Sequence, residues 1–187
     1  MSAAPAVDRR VANPALPRGS WAWDALVVLI LLCATLVMTY PLPAQLGTHL
    51  AGDDYDVWNR PWVTWWTKMA LREGHRLYWT DMLFHPRGVS LVYHSFSHIN
   101  SAIALVLEPL TGWIAAHNVT ILLAYFLSGV GGYLLAKDLT GRRDAGLVAG
   151  LIFAFSTYHV DQSAHVILVT TQWIPFWILA VVRLFRG

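Results

Sequence analysis

Charge is what this sequence has least of. Lys and Arg number 13 and Asp and Glu 11 among 187 residues, so 13% are charged, against about a quarter in an ordinary soluble domain. The deficit is uneven: 25–40, 109–136, 145–160 and 163–182 contain no charged side chain. Several such runs in a short chain leave little sequence for a soluble core. With a net charge of +2 and no basic cluster, a nucleic-acid-binding face is excluded. The one cysteine, Cys33, excludes an internal disulfide and reads as a small packing residue. Internal repeats are absent, and there is no low-complexity stretch beyond an Ala-, Pro- and Arg-rich tail over 1–20, which is expected to be disordered and cytoplasmic.

What is abundant is apolar and aromatic: 56% apolar residues and ten tryptophans. A bilayer core asks for roughly 20 apolar residues per helix, with about 17 tolerated. Arg9, Arg10 and Arg18 precede the first apolar run like the positive region of a signal peptide. That run is long, and Pro41-Leu42-Pro43-Ala44 is a poor cleavage site, so an uncleaved signal anchor is expected. Trp21 and Trp23 open it and Tyr40 closes it, as interfacial aromatics do.

The basic residues set the threading. Lys137, Arg142 and Arg143 form a tight positive loop, and Arg183 and Arg186 close the sequence. The positive-inside rule places these and the N-terminal arginines in the cytoplasm. Four spans follow: 21–42 outward, 117–136 inward, 145–160 outward and 166–184 inward. Residues 99–114 are then a half-depth or re-entrant helix, and 43–98 form a long first outer loop. In that loop Trp58, Trp62, Trp65, Trp66 and Met69 share one helical face, with Arg60, Thr64, Thr67, Lys68 and Arg72 mostly opposite. The pattern predicts an amphipathic interfacial helix over 57–72, stopped by Gly74. His85-Pro86-Arg87-Gly88 reads as a turn. The expected fold is all-α and integral to the membrane, with 21–187 as a single transmembrane module. Gly146-x-x-x-Gly150 and Ser128-x-x-x-Gly132 mark close helix–helix contact, within the chain or with a partner through Gly146 and Gly150.

This threading gathers polar chemistry outside. Asp53, Asp54, Asp56, Asp81, Asp161 and His49, His75, His85, His94, His98, His159 and His165 all fall at the outer side, with His117 near it. Gly52-Asp53-Asp54-Tyr55-Asp56 is the sharpest element. Carboxylates this close can take a proton from an acceptor or hold a divalent cation. Asp56 would equally serve as the N-cap of the amphipathic helix. His94-x-x-x-His98 has metal-ligand spacing on a helix. Asp54, His159, Asp161 and His165 are the further candidate ligands for a divalent metal. Glu108, in an apolar stretch, must be functional or paired. Candidates for holding substrate are Trp62, Trp65 and Trp66 as sugar-stacking rings, with His94 and Glu108. Asn118-Val119-Thr120 matches a glycosylation acceptor but starts a span.

Taken in order, these pieces resemble the N-terminal part of bacterial multi-span membrane glycosyltransferases of the GT-C type, in the YfhO-like group. The matching residues are Pro41-x-Pro43, Gly52-Asp53-x-x-Asp56, Trp62-x-x-Trp65-Trp66, the 83–91 stretch Leu-Phe-x-Pro-x-Gly-Val-Ser-Leu, His94 with Asn100, Leu127-Ser128-Gly129 through Leu139-Thr140-Gly141, the run 149–156, and Gln172-Trp173-Ile174-Pro175. The resemblance implies a GT-C fold in the bacterial inner membrane. It also implies a polyprenyl-phosphate-linked sugar as donor and transfer on the outer face. Asp53 or Asp56 then stands where such enzymes place a general base or metal ligand. Members of the group run longer, with further spans after the Pro175 helix, so this sequence corresponds to their N-terminal part. Two other classes fit the residues. One is a non-catalytic membrane subunit, or a truncated relative, that packs against a larger complex. The other is a transporter-like module with Glu108 lining a path.

Overall fold

A computed structural model describes residues 21–52 and 55–186, without the side chains of Tyr55 and Asp56. The 1–20 tail lies outside the described residues. The chain is mostly helical: α1 (Trp21–Met38), α2 (Asn59–Glu73), α3 (His98–Thr111), α4 (Trp113–Thr140), α5 (Arg143–Ala154), α6 (Thr157–Asp161), α7 (Val166–Val169) and α8 (Trp173–Arg186). Two 3-10 turns, Leu42–Gln45 and Tyr55–Trp58, lie between α1 and α2. One two-stranded antiparallel ribbon pairs β1 (Trp79–Thr80) with β2 (Val89–Ser90).

Among the described residues three helical segments are long and apolar enough to cross a membrane: Trp21–Met38, Trp113–Thr140 and Val166–Arg186. This is compatible with an all-α membrane protein. α4 is the hub, touching α1, α2, α3, α5, α7 and α8. Its 28 residues extend about 42 Å, beyond a hydrocarbon core of about 30 Å, so its ends reach the polar zones. α1 buries only Val27, Leu31 and Thr35. That i, i+4, i+8 stripe runs along α4 and α5, where Val27 and Leu31 cluster with Tyr133.

The expected 145–160 span is not one helix. α5 has 12 residues, about 18 Å of rise. Ser156 then takes an extended conformation (ψ 151°) and opens α6. A serine–threonine pair offers the backbone local hydrogen bonds that compete with a continuing helix. The expected 166–184 helix is likewise interrupted at 170–172. Pro175 has no backbone N–H and fits best in the first turn of a helix, and α8 restarts at Trp173, just before it. α3 has 14 residues with Pro109 near its end, and Gly112 (φ 81°) separates it from α4. Gly74 caps α2 in the left-handed conformation (φ 72°), its N–H donating to the Ala70 carbonyl.

Two ionic knots close one end of the bundle. Asp24, in the first turn of α1, accepts from Tyr133 Oη, from Lys137 Nζ at 2.7 Å and from Arg143 Nε at 3.1 Å. Asp138 on α4 receives Arg183 Nε at 2.9 Å and Arg186 Nη1 at 2.7 Å from α8. The start of α1, the end of α4, the start of α5 and the end of α8 therefore share one side.

The α4–α5 seam depends on small residues. A Cβ on Gly150 would lie 2.5 Å from the Gly129 carbonyl oxygen, and one on Gly146 would lie 2.8 Å from the Tyr133 ring. The face of α5 that carries both glycines is filled by α4 of this chain. Gly150→Ala should lower stability by about 1–3 kcal/mol, because the obstacle is backbone and cannot rotate away. Thermal unfolding in lipid nanodiscs measures this. An unchanged midpoint would mean the helices pack less closely than described.

Candidate functional site

At the end opposite the ionic knots, the chain forms a cleft of about 570 Å³. Its walls come from the end of α1, from 39–52, from Val57 and Trp58, and from Ile121 and Tyr125 on α4 with Val160 on α6. Gln45 and His49 supply polar groups; the rest is largely apolar and aromatic.

Three anchors shape it. Asn118, fully buried, donates both amide hydrogens, to the Leu46 and His49 carbonyls, each at 2.7 Å. This pins the 39–52 segment to α4. A side chain held so deeply cannot be a glycan acceptor. Tyr125 stacks on Phe155 with centroids 6.0 Å apart and donates its hydroxyl to the His159 carbonyl at 2.6 Å. His159, also buried, meets the Ala154 carbonyl through Nδ1 at 2.9 Å and Thr171 Oγ1 through Nε2 at 2.7 Å. The break between α5 and α6 is thus stitched to α4 and to the 170–172 interruption.

Gly52 sits on the rim of this cleft. Its φ is +93°, and a Cβ there would lie 2.4 Å from the Ala164 Cβ, so only glycine fits both the conformation and the space. The acidic segment starts at the next residue. Asp53 and Asp54 lie outside the described residues. Asp56 lies within the 3-10 turn Tyr55–Trp58, and its side chain is outside the description. The N-cap position of α2 is Trp58, with no side-chain cap bond, so Asp56 does not occupy the N-cap position that the sequence offered it.

The tryptophan helix is packed on two sides. Trp66 is buried with Ala70 and Leu91, and Trp62, Trp65, Leu77, Val89 and Phe96 pack around them. Trp62 lies 6.3 Å from Trp66 and 6.1 Å from His94 between ring centroids. Trp58 is exposed and stacks on Trp113 at 6.0 Å. Much of the polar face meets α3: Thr64 bonds Ser101 at 3.2 Å, and Lys68 pairs with Glu108, while Arg72 is exposed. Glu108 therefore has its partner, the outcome its place in an apolar stretch demands. Trp62, Trp66 and His94 come together, Trp65 packs against that cluster, and Glu108 stands apart on the α3 side of α2.

The candidate metal ligands are spread out. His94 precedes α3 in a loop and His98 opens the helix, so the i, i+4 helical spacing is not formed. Phe96 sits between the two, edge-on to His94 with centroids 5.9 Å apart and stacked on His98 at 5.3 Å. His98 Nε2 meets Tyr78 Oη at 3.0 Å. Burial, and secondarily the Arg60 cation, hold the His94 imidazole below its ordinary pKa. Asp161 is exposed and accepts from Gln162 at 2.8 Å. His165 lines a separate cleft with Asn59, Arg60 and Ser95. Among the described residues no group of three or more His, Cys, Asp or Glu side chains is placed to hold a metal ion. The described candidates do not by themselves form a ligand set for a divalent cation.

Comparison with protein-family models, with curated proteins and with solved structures finds no match for this chain.

The sequence reading passed over Asn118 as an anchor. The signal available was a polar amide at the start of an apolar run, which must find partners. Asn118→Ala should cost about 1–3 kcal/mol by orphaning two carbonyls. It should also speed maleimide labelling of a cysteine placed at Thr48. Unaltered labelling would show that the cleft wall stands without Asn118.

Proposed function

We propose that this chain is a GT-C-type glycosyl-transfer module of the bacterial inner membrane, acting on a polyprenyl-phosphate-linked sugar at the outer face. The observation that carries the proposal is the position of Gly52. Gly52 lines a 570 Å³ cleft at the end of the bundle opposite the basic knots, and the acidic segment follows it directly in the sequence. By the positive-inside rule the knots lie in the cytoplasm and the cleft outside. In this threading 21–42, 117–136, 145–160 and 166–184 are the four spans, the third completed across the break by α6. α3, about 21 Å long at 14 residues, enters to half depth, and α2 lies along the interface.

Asp53 or Asp56 takes the proton of an acceptor hydroxyl, whose oxygen attacks the anomeric carbon as the phosphate of the carrier departs. A carboxylate in a site that excludes water meets less competition for its charge–dipole interactions. If a divalent cation takes part, Asp53 and Asp54, the two residues that follow Gly52 in the sequence, would hold it, and it would neutralise charge on the leaving phosphate.

The test is a transfer assay on the full-length protein in liposomes with a polyprenyl-phosphate-sugar donor. Asp53→Asn or Asp56→Asn should reduce turnover about 10²-fold or more while leaving the fold intact, the usual scale for losing a general base. Full turnover in both variants would sink the assignment. No turnover by the unmutated protein, given a donor and acceptor that reach the site, would favour a non-catalytic subunit.

A further inference from the structure

The ribbon in the outer loop builds a second cleft that the transfer chemistry does not use. It has a volume of about 340 Å³, within the range of about 300–1,000 Å³ typical of small-molecule sites. Trp66 and His75 form its floor, with rings nearly parallel at 9° and centroids 6.0 Å apart. Trp66 is fixed there by its Nε1 donating to the Leu77 carbonyl at 2.8 Å. Trp79 forms a wall and is 43% exposed.

Trp79 is held in place by Gly88. A Cβ at Gly88 would lie 2.5 Å from Trp79 Cζ2 and 3.1 Å from Cε2, and Gly88 has φ +70°. The indole therefore rests on bare backbone, pinned by the β1–β2 pairing of Thr80 with Val89. An aromatic surface immobilised before binding spares the ligand that entropy cost. Around it stand Arg76 and Asp81, both exposed cleft residues. Neither side chain forms an ion pair or hydrogen bond with another described residue.

We infer that this cleft is a carbohydrate subsite, in which Trp79 stacks on the C–H face of a pyranose ring while Asp81 and Arg76 bind its hydroxyl rim. The chemistry follows from the groups present. A pyranose has one apolar face and a rim of hydroxyls that both donate and accept. An indole face suits the first. A carboxylate accepting and a guanidinium donating suit the second, through charge-assisted bonds. Trp79 is the exposed ring of this cleft and Trp66 its buried floor, while Trp62 and Trp65 pack beside Trp66 in the loop. This inference rests on the glycosyl-transfer reading, because it makes the cleft the place where the glycan acceptor is gripped.

The full chain in lipid nanodiscs, free of sugar-headed detergent, is tested by saturation-transfer NMR. The probes are methyl α-mannopyranoside, methyl β-glucopyranoside and methyl β-galactopyranoside. At least one should receive saturation on its ring protons and bind about tenfold more weakly after Trp79→Ala, the scale of one aromatic contact. Gly88→Ala, which pushes the indole off its bed, should weaken binding too. Arg76→Gln and Asp81→Asn change only exposed groups. They should weaken binding with an unchanged thermal midpoint, so loss of fold cannot explain the result. No binding of any probe, or binding indifferent to all four substitutions, overturns the inference. So does strong quenching by brominated lipids that disappears in Trp79→Phe, which would make Trp79 a membrane anchor. Probe binding that survives Asp53→Asn and Asp56→Asn, in a protein without transfer activity, would leave the subsite standing while the transfer reading fails. Transfer that requires those carboxylates without any probe binding would do the reverse.

Discussion

One carboxylate holds the first helix in register. Asp24 accepts from Tyr133, Lys137 and Arg143, which belong to α4 and α5 and lie more than a hundred positions further along the chain. An acid in the first turn of a membrane-crossing helix is costly unless it is paired; here one such group collects three donors. α1 contributes only a thin buried stripe to the bundle, and its other faces are largely exposed. Apolar packing along a single stripe tolerates sliding and rotation far better than a three-donor clamp does. Asp138 does the same for α8 through Arg183 and Arg186.

The end opposite the knots is made of interruptions. α1 stops at Met38, α5 stops at Ala154 and the last segment opens at 170–172. Each break frees backbone polar groups, which need internal partners where water is scarce. Tyr125 answers the His159 carbonyl, His159 answers Ala154 and Thr171, and Asn118 answers Leu46 and His49. Asn100 Nδ2 meets Thr170 Oγ1 at 2.8 Å, tying α3 to the same region. The cleft exists because these groups hold irregular backbone apart instead of letting helices close over it. The bundle thus has ion-paired helix ends on one side and hydrogen-bonded irregular backbone on the other.

Periodicity and charge made the coarse architecture legible. The uncharged runs located α1, α4 and the last segment, the tryptophan spacing located α2, and Gly74 ended it. The interruption before α8 was written in Pro175, whose missing N–H suits it to a first turn, but an apolar run with no charge obscured it. The break at Ser156 was harder still, because a hydroxyl pair within an apolar run is common in continuous helices. Side-chain partners were the least legible. The tryptophan stripe said that α2 buries one face; it could not say that Thr64 and Lys68 on the other face meet Ser101 and Glu108. Trp79 and Gly88 are nine residues apart in a loop of no clear period, and only the β1–β2 pairing puts the ring on the glycine.

The central claim is that the two ionic knots face the cytoplasm and the cleft faces out. It is tested most directly by side-specific labelling of single cysteines at Ser90 and Thr140, both exposed, in a Cys33→Ser background. A membrane-impermeant maleimide applied to intact cells should label Ser90 and should reach Thr140 only after the membrane is opened. Labelling of Thr140 in intact cells, with Ser90 protected, would invert the molecule and contradict the account.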